Sequence, residues 1–512
     1  MSVLVFCESL FEVCTPIPGF YAAANDLEVA GIPTLVVDYF SAFEFADLNR
    51  VLANLAKPSV KVVVIHLNLP PPQGGSYYDQ AKDTRRLADI NDRIAVVRRA
   101  LPDATLVAAG WLAGNQLFTK KNFPDIDFFY TNGYDVCPAV VPIHAGEPVV
   151  ADSDGILDER YSILKERSRL PVNYALNTFF QGNSAYIMKQ TDRCIAHCFA
   201  CPLEHDCQRV KVMTWADRKH ELLPGFSLDL VRDSHEAGVR NWFIADFDFS
   251  GKLDSVLDVA ALRPRLPADV RFFTALRLEA LVREPRIAQS LAAAGFAGAF
   301  LAVHSLNDAN LGAMEASYRS TREALAWLRS VVGPDFFIQA FFTAGMPFDT
   351  RDSLLADAAF LLSEEGRKLV DCFAYNEPFI AHQSPIGQKY YRHPVAGKLW
   401  QNGVLYWETE HLNPMQVRQV LGEIRALQSQ KNWVYGLWPQ TASILGELLS
   451  AANTGVSLER GFEMVRQAGP DNGHQLAGAR DELARLQGQY VARNADVLSK
   501  LECDDRGRYF LG

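Results

Sequence analysis

No window of this chain approaches the roughly 18 consecutive apolar residues that a membrane-spanning helix needs. The opening stretch MSVLVFCESLFEVC has no basic n-region and no small-residue cleavage site, so a cytoplasmic location is expected. Cysteine is sparse and odd in number: nine in 512 residues, three crowded into one loop and six scattered, which excludes a disulfide framework. A reducing compartment suits that distribution. Positive charge is also in deficit, and a net charge of −10 argues against a broad phosphate-binding surface and against nucleic acid as a partner. Low-complexity tracts are missing, as are internal repeats beyond an alternation of strands and helices. What is present is a globular composition, 49% hydrophobic, in a length that predicts about three domains.

Over residues 1–140, short β-branched runs alternate with helical stretches: VLVFCES, PTLVVDYF, VKVVVIHLNL, ATLVAAGW and DIDFFYTNG are the strands. That alternation predicts a Rossmann-like parallel sheet wrapped by helices, with ligands at the strand carboxyl ends. Those ends carry Asp38, Asn68, Gly110, Trp111, Thr131, Asn132 and Gly133. Residues 141–183 are richer in Pro, Gly, Asp and Ser and read as a linker over the surface, a loss of periodicity that begins near Cys137. A second series fills residues 184–400: SAYIMKQT, NWFIADFDF, VRFFTALR, GAFLAVHS, DFFIQAFFTAG and DCFAYNEPF, separated by amphipathic stretches. Six strand–helix repeats predict a partial (β/α)6 barrel, whose functional residues come from strand carboxyl ends. Residues 401–512 read as a helical C-terminal domain that caps the fold.

Directly after the first strand of the second series, TDRCIAHCFACP places Cys194, Cys198 and Cys201 in C-x3-C-x2-C spacing. Three thiolates that close together can hold three irons of a [4Fe–4S] cluster and leave the fourth iron open. A structural zinc site completed by Cys207, His197 or His205 is the alternative; such sites usually pair two short hooks rather than one run. The spacing resembles the cluster loop of the radical S-adenosylmethionine (SAM) superfamily. With the Rossmann-like domain in front, most of the chain resembles the cobalamin-dependent radical SAM enzymes. The resemblance implies a [4Fe–4S] cluster on Cys194, Cys198 and Cys201, SAM on the open iron, and cobalamin in the first domain. An external electron donor of flavodoxin or ferredoxin type is implied with them.

The same resemblance assigns further residues. Asp246 and Asp248 stand where many members carry a Gly-Gly-Glu turn for the SAM amine, and a carboxylate there can accept from an ammonium. Arg277 matches a basic position facing the SAM carboxylate. Ser305 serves a ribose hydroxyl, while His304 departs from the glutamate usual there. Gly345, Pro347 and Thr350 match the strand-five Gly-x-Pro-x-x-Thr turn. The first domain lacks the Asp-x-His-x-x-Gly loop of classical cobalamin proteins. The resemblance therefore implies cobalamin held without a protein histidine on cobalt, lined by Asn68, Gly110, Trp111, Thr131, Asn132 and Gly133. His66 reads as a packed strand residue, Cys207 as a bystander, and Cys503 as an ordinary cysteine with an active-site thiol as its rival role. Tyr375, Glu377 and His382 are the expected substrate-facing, catalytic residues. Trp407, His411, Trp433, Tyr435 and Trp438 form either core or a substrate lid.

The expected function is a cobalamin-dependent radical SAM methyltransferase that methylates an unactivated carbon, or phosphorus, of a small molecule, using a 5′-deoxyadenosyl radical and methylcobalamin. Ring contraction, cyclisation or rearrangement with the same cofactors is the alternative. Methylthio transfer and a non-catalytic metal-binding role stand behind these.

Overall fold

A computed structural model of the protein describes residues 2–7, 18–38, 40–56, 59–67, 80–109, 120–130, 136–157, 185–188, 231–232, 235–236, 238–244, 249–251, 253–378, 384–392, 407–430, 448–449, 457–467, 485, 488–489 and 491–511. The first sheet contains β1 (Ser2–Cys7), β2 (Thr34–Asp38), β3 (Val60–His66), β4 (Thr105–Ala109) and β5 (Phe128–Tyr130), all parallel in the order β2-β1-β3-β4-β5. Strands β1 and β3 are near-continuous apolar runs because helices cover both faces. The helix Phe45–Leu55 shows why: Leu48, Val51, Leu52 and Leu55 recur at helical spacing and are all buried. This strand order has its topological switch between β1 and β3, the place at which sheets of this topology take ligands at their carboxyl ends.

Residues Cys137–Ala145, where the weakened periodicity reads as the start of a linker, form a further helix of this layer. It packs on the helix Pro18–Val29 and on β3. Two prolines disguise it in the sequence. Pro138 sits in the first turn, where no backbone N–H is required, and Gly146 ends the helix in the left-handed region at φ 80°.

The second sheet is β6 (Ala185–Met188), β7 (Asn241–Ile244), β8 (Arg271–Arg277), β9 (Phe296–His304), β10 (Phe337–Thr343) and β11 (Cys372–Asn376). All six are parallel, and their spatial order follows the chain. All carboxyl ends therefore emerge on one side. On the other side the helix Leu458–Arg466 covers the amino ends: the Phe462 ring stacks on Phe337 at 4.3 Å and meets Phe273 at 6.1 Å. Arg466 binds Asp371 at 2.6 Å, and Arg329 takes the other oxygen of that buried carboxylate at 2.8 Å. Phe462→Ala is expected to destabilise the second sheet by about 3 kcal/mol, the usual cost of removing a buried ring. A lowered thermal midpoint with the first sheet's protection from hydrogen exchange intact is the check.

The chain ends on the first sheet. The hairpin of β12 (Glu502–Cys503) and β13 (Tyr509–Phe510) donates the Tyr509 hydroxyl to Leu55 O at 2.7 Å, and Asn54 donates to Leu498 O and Leu501 O. Leu55 closes a helix that runs antiparallel to the strands, so the hairpin lies at their amino ends. Cys503 is thereby placed away from the carboxyl side of the sheet. Among the described residues, no helix is long and apolar enough to cross a membrane.

Candidate functional site

Side chains alternate across β8 to β11, and the two faces differ in cover. On one face Phe272, Leu276, Leu301, Val303, Phe342 and Phe373 are all fully buried beneath the connecting helices. Opposite them, Ala275, Phe300, Ala302, Phe341 and Thr343 are only partly covered. Lower on this second face, Phe273 and Phe337 are sealed by Phe462. The result is a chamber face, closed below and only partly covered towards the strand carboxyl ends. Its wall is aromatic, with Phe243, Phe300 and Phe341 in edge contact at 5.3 and 5.6 Å.

The last residues of β8, β9, β10 and β11 are Arg277, His304, Thr343 and Asn376. Four successive strands thus end in polar side chains at the same rim. His304 has φ 73°, a left-handed conformation that a non-glycine residue adopts at a cost, and it sits where the β9–β10 register slips by one residue. Such strain concentrates at functional sites. Burial, together with the positive charge of Arg277, pushes the His304 pKa down to about 4, so its ring is neutral near pH 7.

Ser305, next along, is buried, and its hydroxyl oxygen accepts from Asn307 N at 3.1 Å and Asn310 Nδ2 at 2.9 Å. Asn310 also donates to Asp349 Oδ1 at 2.7 Å, and Asp349 Oδ2 accepts from Gly345 N and Met346 N at 3.1 and 2.9 Å. This network ties the loop after β9 to the turn after β10, the segment matched by Gly345, Pro347 and Thr350. Thr350 caps the next helix in a reciprocal pair with Ser353. Asn310 and Asp349 were not legible as site residues, because one lies five positions beyond Ser305 and the other inside the turn. The Asp between Pro347 and Thr350 was the available signal.

Burial raises the Asp349 pKa to about 6, against its hydrogen bonds, and raises Asp357 to about 7 with the Asp349 charge as a second cause. Each carboxyl binds its proton more tightly in the folded chain than in the unfolded one. The stabilisation they give is complete below pH about 4 and is lost as pH rises to about 7. Asp357→Asn is expected to flatten that decline in denaturation curves measured from pH 4 to 8.

Tyr375 and Glu377 fall on different surroundings. Tyr375 shares the helix-covered face with Phe342 and Phe373, at 5.3 and 6.0 Å, rather than the chamber face. Its neighbour Asn376 lies in register with Thr343. Glu377 is buried with Arg418 of the helix Pro414–Gln430, at 3.4 Å. Trp407 is fully buried against Tyr391, at 5.4 Å, and stands over Gly345, so it belongs to the core; His411 is exposed. In the first sheet, His66 is buried beside the Phe20 ring at 4.9 Å, and burial lowers its pKa to about 3. Cys194, Cys198, Cys201, Cys207, Asp246, Asp248, His382, Asn68, Gly110, Trp111, Thr131, Asn132, Gly133, Trp433, Tyr435 and Trp438 lie outside the described residues. Among the described residues, no three His, Cys, Asp or Glu side chains gather into a metal site.

No family model and no curated protein matches the sequence. Among solved structures, the chain is similar in fold to the radical SAM methyltransferase TsrM from Kitasatospora setae, solved with cobalamin and a [4Fe–4S] cluster bound. That match has a TM-score of 0.62 at 13% identity and covers 91% of this chain and 99% of that one. A second structure of TsrM, with its tryptophan substrate and a SAM analogue, gives a TM-score of 0.61 at 14% identity over the same shares. The α/β architecture of parallel sheets and helices is therefore one already known in this enzyme.

Proposed function

We propose that this chain is a cobalamin-dependent radical SAM methyltransferase acting on an unactivated carbon, or phosphorus, of a small molecule. One observation carries the reading: in the sequence the C-x3-C-x2-C run comes directly after β6, a strand parallel to those that end in Arg277, His304, Thr343 and Asn376. The likeness in fold to TsrM over 91% of the chain supports it. In this reading the second sheet is the partial (β/α)6 barrel of residues 184–400. The first sheet is the cobalamin domain of residues 1–140, extended by the helix Cys137–Ala145 into the stretch 141–183 read as a linker, and residues 401–512 form the C-terminal helical domain.

The residues fit the groups they would hold. Three thiolates, Cys194, Cys198 and Cys201, match a cluster with one open iron. Asp246 or Asp248 would accept from the amine of SAM, and Arg277 offers a fixed cation at the rim for its carboxylate. Both bonds to the Ser305 hydroxyl are accepted by its oxygen, leaving its proton to donate to a ribose. For cobalamin, the switch point between β1 and β3 is followed in sequence by Asn68, while Gly110–Trp111 and Thr131–Gly133 follow β4 and β5. His66, buried in its strand beside the Phe20 ring, is a packed residue rather than a cobalt ligand in this reading. The bound groups supply a carbon-centred radical and a transferable methyl group; the protein orients them and excludes water. His382 is proposed to act on the substrate from beyond the end of β11, while Glu377, buried beside Arg418, would act only by positioning that strand end. Tyr375 would act only by positioning that strand end, since its ring faces the helices. An external one-electron donor completes the cycle, and the absence of a membrane-crossing helix among the described residues accords with a cytoplasmic enzyme.

Anaerobic reconstitution followed by product analysis tests the reading. S-adenosylhomocysteine accumulating with 5′-deoxyadenosine during turnover is the expected result. Turnover without S-adenosylhomocysteine would sink methyl transfer and favour rearrangement chemistry.

A further inference from the structure

We infer that His304 is a positioning residue of the reaction site: held in a left-handed conformation at the end of β9, it sets the Arg277 guanidinium to receive an anionic group, the carboxylate of SAM. The inference rests on the reading of this rim as the SAM site. Two observations carry it. The first is the backbone. Among the described residues only His304 and Glu315 combine a side chain with positive φ, and Glu315 lies on an exposed turn. His304, at φ 73°, ends a strand and is half-buried, where glycine would take the same conformation without steric cost. The residue that follows imposes it. The Ser305 hydroxyl accepts from Asn307 N and Asn310 Nδ2, and the Ser305 carbonyl accepts from the buried Thr321 hydroxyl at 2.8 Å. A histidine kept where glycine fits better points to a function for its ring.

The second observation is what lies beside the ring. Arg277 ends the neighbouring strand in register with Ala302, two residues before His304, and both side chains are half-buried at the rim. The Arg277 N–H donates to the hydroxyl of Ser250, in the turn that follows β7, at 3.0 Å. The Arg277 backbone is thus fixed from the β7 side, and only its side chain needs orienting. The positive charge of Arg277 helps to keep the imidazole neutral. A neutral imidazole can accept from a guanidinium without cancelling its charge, whereas a carboxylate there would neutralise it. Arg277 is thereby left as a cation for another anion.

SAM itself is the probe, measured without reductant by equilibrium dialysis against the anaerobically reconstituted full chain. His304→Gly is expected to bind SAM about tenfold more weakly, with a thermal midpoint at or above that of the wild type because the strain is relieved. His304→Asn tolerates the left-handed backbone and offers an amide oxygen, so it should restore binding to within about threefold of the wild type. In an Arg277→Met background, adding His304→Gly should weaken binding no further; an additional loss would refute action through Arg277. Wild-type affinity in His304→Gly overturns the inference, as does a lowered midpoint and lost binding that His304→Asn shares. These outcomes are separable from the proposed function. A wild-type chain that fails to hold iron or to bind SAM overturns that reading and this inference with it, whereas wild-type binding that His304→Gly leaves unchanged overturns the inference alone.

Discussion

Cys198→Ala is expected to leave the protein with almost no iron. The wild-type chain, reconstituted anaerobically, should hold about four irons and absorb broadly at about 410 nm. Removing one of three thiolates leaves two ligands for a cluster that also keeps an open iron, too few to hold it. The same loss is expected for Cys194→Ala and Cys201→Ala, with turnover falling at least about a thousandfold because radical generation needs the reduced cluster. Cys207→Ala is the informative control. In a zinc site Cys207 is a candidate fourth ligand, and its loss would release metal; in the cluster reading it is a bystander, and iron content stays level. Metal analysis of the four variants separates the two, and retention of iron in Cys198→Ala would refute the assignment.

Asp349→Ala should be among the most damaging substitutions outside the cysteine loop. The carboxylate accepts from Gly345 N, Met346 N and Asn310 Nδ2, all in buried surroundings. Its loss strands three donors at once, each costing about 1–3 kcal/mol if left unsatisfied, so an overall cost of about 4 kcal/mol is expected. The turn cannot simply re-form around the gap. Gly345 has φ 102°, and any Cβ there would lie 2.7 Å from the Trp407 ring and 3.0 Å from Val417. Its carbonyl is also held by the Tyr391 hydroxyl at 2.9 Å. A large drop in the thermal midpoint with iron content preserved is the expected pair of results. Loss of iron in step with loss of folding would instead show that the turn and the cysteine loop fold as one unit.

All six strands of the second series were legible because each is a short apolar, β-branched or aromatic run between helical stretches, and local pattern suffices for that. The cysteine spacing could be read directly because it is a property of the chain alone, and the loop itself lies outside the described residues. Side-chain direction was harder. Tyr375 and Asn376 are neighbours in a strand, so one residue decides whether a side chain meets helices or the chamber, and sequence favoured the tyrosine for its chemistry. Asn376 became visible only from its register with Thr343 and its unmet oxygen. The helix Cys137–Ala145 was hidden by two prolines, Pro138 in the first turn, where a helix tolerates one, and Pro142 inside it, where a helix is usually broken.

By itself, then, the sequence determined the two alternating series, the placement of three thiolates after a strand, and Arg277 and His304 near the ends of the third and fourth strands of the second series. These are local properties, set by periodicity and spacing. Tertiary structure decided what they face. Register placed Asn376 beside Thr343, a slip in β9 turned His304 into a strained conformation next to Arg277, and Phe462 closed the chamber from below. Each of these depends on contacts between segments far apart in the chain, because which face of a strand is buried is set by the partner that packs on it.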